Sequence, residues 1–186
     1  IGMTWLLLDR GVVVDAEDML GRTALMLSCR GGHIGVVRML LESGASVDAK
    51  DKYGYTALML ACKNGHIGVV RLLLKRGTDV NTMDYQDRTP LFLACKNGHD
   101  TCVRVLLYKG AKVNLVDNFD CTPLKLACSQ GHIGVVRLLL ERSAAIDVTD
   151  KYDGRSPLMR ACQEGHIGVV RLLLERDASV DAKDKH

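Results

Sequence analysis

The dipeptide Gly-His returns at Gly32-His33, Gly65-His66, Gly98-His99, Gly131-His132 and Gly165-His166, at intervals of 33, 33, 33 and 34 residues. A fixed period of that length restricts the chain to architectures in which one small supersecondary unit is repeated along a line. A single unit cannot bury its own apolar face and must stack on its neighbours. Five whole units fall at 18–50, 51–83, 84–116, 117–149 and 150–183, the last with one additional residue before Gly154. The chain reads as one domain over 1–186, in which 1–17 match the second half of a unit and 184–186 match the start of another. Both ends read as cut from a longer array.

Each unit carries the same local instructions. Asp-x-x-Gly-x-Thr predicts a turn with a left-handed position, filled by Gly21, Gly54 and Gly154 and, in units three and four, by Asp87 and Asp120, since Asp is one of the few other residues that tolerate positive φ. Thr23, Thr56, Thr89, Thr122 and Ser156 then stand where an N-cap belongs, with Pro90, Pro123 and Pro157 at the first helical position. In unit two, Leu58, Ala61 and Cys62 make an i, i+3, i+4 stripe on a short helix that ends at Asn64-Gly65. A second helix is predicted from Ile67 to about Lys75, with Ile67, Val70, Leu73 and Leu74 inward and Gly68, Arg71 and Lys75 outward.

The 33-residue period, the "DxxGxTPL" opening, the Ala-Cys helix end, the "NGH" turn and the "VVRLLLxxGAxV" helix resemble ankyrin repeats, over nearly the whole chain. The resemblance implies an all-α solenoid of stacked helix-turn-helix units with projecting β-hairpin-like loops. It also implies a concave groove, lined by loops and first helices, that binds a partner protein. The chain departs from the family where a His usually follows Thr-Pro-Leu and ties neighbouring loops. Met26, Met59, Phe92, Lys125 and Met159 stand there instead. Arg160 replaces the leucine found as Leu27, Leu60, Leu93 and Leu126, and is tolerable only at an exposed end or within reach of an acid.

Two repeated patterns invite chemistry. Every unit has Cys-x-x-x-His, at Cys29, Cys62, Cys95, Cys128 and Cys162, which suggests a nucleophile and its base or half a zinc site. Five copies at one structural position are what packing produces, whereas an active site needs a single constellation with an orienting third group. A Cys-His enzyme is the weaker alternative, and no catalytic residue, metal ligand or cofactor is assigned. The seven cysteines are expected to be reduced, with Cys121 the most accessible. The second pattern is Arg38, Arg71, Arg104, Arg137 and Arg171 on the outer face of the second helices. It offers an alternative in nucleic-acid or anionic-surface binding. Glu42, Glu141 and Glu175 lie four residues on and are expected to neutralise three of these arginines.

The aromatic residues are more selective. Trp5 and Tyr108 sit on second helices, but Tyr53, Tyr55, Tyr85, Phe92, Phe119 and Tyr152 fall in the loops or at the start of first helices, where large rigid side chains serve recognition. Arg22, Arg30, Lys52, Lys63, Arg88 and Lys96 share that side in units one to three, while Arg155 in unit five faces Asp153 and Glu164. Together these aromatic and basic residues form the candidate partner-binding set, and the expected ligand is an acidic protein segment. With a formal net charge of only +3, nucleic acid is not the expected partner. No apolar run approaches the roughly 18 residues a membrane span needs. A soluble, monomeric, intracellular protein, cytoplasmic or nuclear, is expected.

Overall fold

The computed structural model describes residues 13–180. Most of the half-unit expected over 1–17, Trp5 within it, and the terminal 184–186 lie outside the described residues. Ten helices are described, two per unit. The first helices are α1 (Ala24–Arg30), α3 (Ala57–Lys63), α5 (Pro90–Lys96), α7 (Pro123–Ser129) and α9 (Pro157–Gln163). The second helices are α2 (Ile34–Glu42), α4 (Ile67–Lys75), α6 (Asp100–Tyr108), α8 (Ile133–Leu140) and α10 (Ile167–Leu174).

Local chemistry explains these boundaries. Each first helix starts because a Thr or Ser hydroxyl accepts from the backbone N–H three residues on, as Thr56 does from Met59 at 3.3 Å. It stops at a glycine with positive φ, such as Gly65 at 73°. That glycine is required twice over, because a methyl group there would lie 2.6 Å from the His99 ring of the next unit. Asp87 and Asp120 adopt φ of 60° at the turn position, as the sequence predicts. In each of units one to four the loop aspartate accepts from the backbone N–H groups two and four residues on, as Asp51 does from Tyr53 and Tyr55 at 2.9 Å.

First helices pack side by side in one row and second helices in another, with each pair packed across the rows. The apolar faces merge into one continuous core running from Leu25 to Ala178. Adjacent loops are joined by backbone hydrogen bonds, Lys52 N–H to Leu20 O at 2.9 Å and Tyr85 N–H to Tyr53 O at 3.2 Å among them. The loops are turns held in hairpin-like form, and among the described residues the only bridge is Glu17 with Thr23.

Three expectations about the second helices change. Val69, absent from the predicted inward set, is buried beside Val70 and Leu73, while Ile67 and Leu74 pack half-buried against that core as expected. Gly68 does not face open solvent: a methyl group there would lie 3.1 Å from Ile34 Cδ1 of the preceding unit, and one at Gly134 would fall on the Asp100 carboxylate. At Gly35 no described residue lies within 4 Å of such a methyl group. The described ion pairs do not include Arg38 with Glu42, Arg137 with Glu141 or Arg171 with Glu175. The expected neutralisation is not formed, because side chains this exposed gain too little from pairing to stay fixed.

Candidate functional site

A cleft of about 570 Å³ opens on the loop and first-helix side of units one to three. It is lined by Arg22, Arg30, Lys52, Tyr53, Tyr55, Lys63, Tyr85 and Arg88. These are residues the sequence had grouped only by repeat position; the stacking brings them together. Tyr55 is its centre. Its hydroxyl accepts from Arg88 Nη2 at 2.7 Å, and its ring lies 5.4 Å from the Lys63 ammonium and 5.3 Å from the Arg88 guanidinium carbon. Burial raises the Tyr55 phenol above its ordinary value, so at neutral pH it remains an un-ionised hydroxyl between two cations.

The cations divide into two kinds. Arg88 is held by its own loop, with Nε 2.8 Å and Nη2 2.7 Å from Asp84 Oδ2, and Arg22 is held by Asp18 at 2.8 and 2.6 Å. The side-chain hydrogen bond from Arg22 brings the Asp18 carboxyl down to about 2. Arg30, Lys52, Lys63 and Lys96 are exposed and have no ion-pair partner among the described residues.

The candidates of units four and five are separate from this cleft. Phe119 and Tyr152 are exposed loop residues. Arg155 lies 3.6 Å from Asp153, and Lys151 pairs with Asp120 at 3.0 Å. Phe92 must be corrected. At 3% exposure it is packed in the interior, because the third position of each first helix points into the unit interface. The same position buries Met26, Met59 and Lys125. The missing family histidine is thus replaced by apolar packing in units one to three. In unit four, Lys125 instead reaches Asp150 and, at 3.4 Å, Asp153 of unit five. Asp153 also answers Arg160, whose Nη2 lies 2.5 Å from Asp153 Oδ2. The residue inserted into the last loop therefore supplies an acid for three cations, Lys125, Arg155 and Arg160.

In units one to four the cysteines of the Cys-His pattern are buried core residues. Burial pushes the Cys29 and Cys128 thiols up to about 12 and raises Cys62 and Cys95 well above the ordinary range. Nucleophilic thiolate is thereby suppressed. His66, His99, His132 and His166 spend Nε2 on the carbonyls of Arg30, Lys63, Lys96 and Ser129 in the preceding unit, at 2.9 to 3.2 Å. Cys162, not Cys121, is the exposed cysteine, since its face of unit five has nothing stacked on it among the described residues. Among those residues no His, Cys, Asp and Glu cluster fits a metal ion.

One ladder escaped the sequence reading. Asp15, Asn81, Asn114 and Asp147 accept from the backbone N–H of Ser46, Lys112, Ala145 and Ser179 in the following unit, at 2.9 to 3.0 Å. Its signal was an Asp or Asn at 15, 48, 81, 114 and 147, again at the repeat interval.

The family model described as ankyrin repeats (3 copies) matches residues 2–84, 50–117 and 91–184. The chain belongs to the ankyrin-repeat family. Ankyrin repeats are generally protein–protein interaction modules and typically non-enzymatic scaffolds. Among curated proteins none matches the chain significantly. Among the described residues no helix is long and apolar enough to cross a membrane. In this ankyrin array the cleft occupies the side from which the loops project, where the cations without acidic partners and the exposed tyrosines coincide.

Proposed function

We propose that this array is a non-catalytic recognition module that holds an acidic segment of a partner protein against the loop and first-helix face of units one to three. One observation carries the reading. The cations of the unit-five loop are paired with acids, whereas Arg30, Lys52, Lys63 and Lys96 have no such partner among the described residues, and the first three line a cleft walled by Tyr53 and Tyr85. Unpaired charge beside large exposed aromatic surface is what an anionic, partly apolar ligand requires.

The test is calorimetry on a partner captured from lysate by the wild-type chain and not by a Tyr53→Ala, Lys63→Ala, Tyr85→Ala triple variant. Tyr55→Ala or Arg88→Ala is expected to cost about 2 kcal/mol or more, on the order of a thirtyfold loss. Lys63→Ala, at the rim, should mainly slow association and flatten its salt dependence. Arg71→Ala and Arg137→Ala, on the second-helix face, should change affinity by less than about 0.5 kcal/mol. Should those two arginines prove the costly ones, the groove is not the site, and the second-helix ladder with its anionic ligands takes its place.

A further inference from the structure

Resting on that reading, we propose that the groove recognises an extended acidic segment in polyproline II conformation whose carboxylates recur at every third residue, one for each of units one to three. Arg30, Lys63 and Lys96 are the last residues of α1, α3 and α5. They occupy one repeat position and are all exposed. The carbonyl of each accepts from the histidine of the next unit, at 2.9, 3.1 and 3.2 Å. Each cation therefore leaves from a backbone point that is fixed across a unit interface. The ladder has three rungs, because the equivalent residues in units four and five are Ser129 and Gln163.

Spacing selects the ligand backbone. Helices packed side by side lie roughly 8–10 Å apart, and so do residues at equivalent helix ends. A β-strand presents every second residue to one face at steps of about 6.6 Å, and its third residue points away. Polyproline II has three residues per turn at about 3.1 Å each, which puts residues i, i+3 and i+6 on one face about 9.3 Å apart. Seven residues of α-helix span about 10.5 Å, but a short acidic helix without an apolar partner is marginal in water. Mutual repulsion of the carboxylates also favours the extended chain. A second observation agrees: Tyr53 and Tyr85, 58% and 68% exposed, wall the cleft that contains the first two rungs. Aromatic walls are what polyproline II segments dock against.

Fluorescence anisotropy with the whole chain tests this, using a labelled nonapeptide of three Glu-Pro-Ala triplets, a composition-matched isomer with its glutamates contiguous, and a Gln-for-Glu control. The triplet peptide should bind at least fivefold tighter than the isomer, and Lys63→Ser should remove that preference. Ser129→Lys, which adds a fourth rung, should tighten a four-triplet peptide and leave the three-triplet peptide unchanged. That gain does not depend on a variant losing its fold. Equal affinity for the two isomers overturns the spacing and leaves the acidic-segment reading standing. Binding of neither acidic peptide above the Gln control overturns both. A preference insensitive to both Lys63→Ser and Ser129→Lys overturns the ladder as its source.

Discussion

Replacing Lys125 by Met, the residue units one, two and five carry at the same place, removes a cation that is 2% exposed and leaves its carboxylates behind. Asp150 loses its one ion-pair partner among the described residues, while Asp153 keeps Arg160 at 2.5 Å and Arg155 at 3.6 Å. Deleting one member of a buried pair costs about 3–5 kcal/mol, because the survivor stays desolvated and uncompensated. The Met side chain fills the space of the lysine stem, so it returns little of that, and retention of the second acid by arginines places the expected loss near 3 kcal/mol. Each unit contacts only its neighbours, so the loss should appear as early opening of unit five rather than as a uniform shift. Urea melts followed by circular dichroism, with hydrogen exchange on α9 and α10, read both quantities. Asp150→Asn in the same chain should restore at least half the loss. A loss below about 1 kcal/mol, or no rescue by Asp150→Asn, would refute the assignment of buried-charge stabilisation. Acid adds a check. Burial alone would raise the Asp153 carboxyl, but the Arg155 amide, Lys125 and Arg160 outweigh it and hold the group below its ordinary value. A lowered folded value means its stabilisation is complete above the ordinary carboxylate range, about 3.9, and is lost as pH falls through the folded value. The wild-type chain should therefore lose unit-five stability more steeply in acid than Lys125→Met.

Leu73, fully buried in α4, should cost about 2–5 kcal/mol when truncated to Ala, and a loss under about 0.5 kcal/mol in the same melts would contradict its place in the inter-unit core. Gly35→Ala should stabilise by up to about 1 kcal/mol, since no described residue lies within 4 Å of the added methyl. Gly134→Ala should not stabilise until Asp100→Ala clears its way, and equal gains from the two glycines would show that the Asp100 contact is not maintained. Asp18 should titrate by NMR with a midpoint at about 2, its contribution to stability present above the ordinary range and lost as pH falls toward that midpoint. Arg22→Ala should raise the midpoint part of the way toward the ordinary carboxylate value, because the backbone N–H groups of Leu20 and residue 22 still donate to Asp18, and an unmoved midpoint would show that the Arg22 side chain is not its main cause.

The repeat interval, the Thr and Ser caps, the left-handed Asp87 and Asp120, and the bounds of α3 and α4 were all legible in the sequence, because each is set by residues within a few positions of one another. Periodicity likewise placed Leu73 inside and the arginine ladder outside. What the sequence left open lies between units. Phe92 and Tyr55 both look like loop-side aromatics, but one points into an interface and the other across a groove. Arg88 and Lys63 count equally in a charge tally, yet Asp84 holds the first and nothing described pairs with the second. Gly68 and Gly134 share one helix position, yet one meets an isoleucine of the preceding unit and the other an aspartate. Lys125 stands in the sequence only as a departure from the family histidine, and the acids that hold it, Asp150 and the inserted Asp153, come from unit five. Local sequence decides which backbone conformation a residue adopts. Which side chains then meet depends on the distance and angle between units stacked 33 residues apart, and only the tertiary structure decides that.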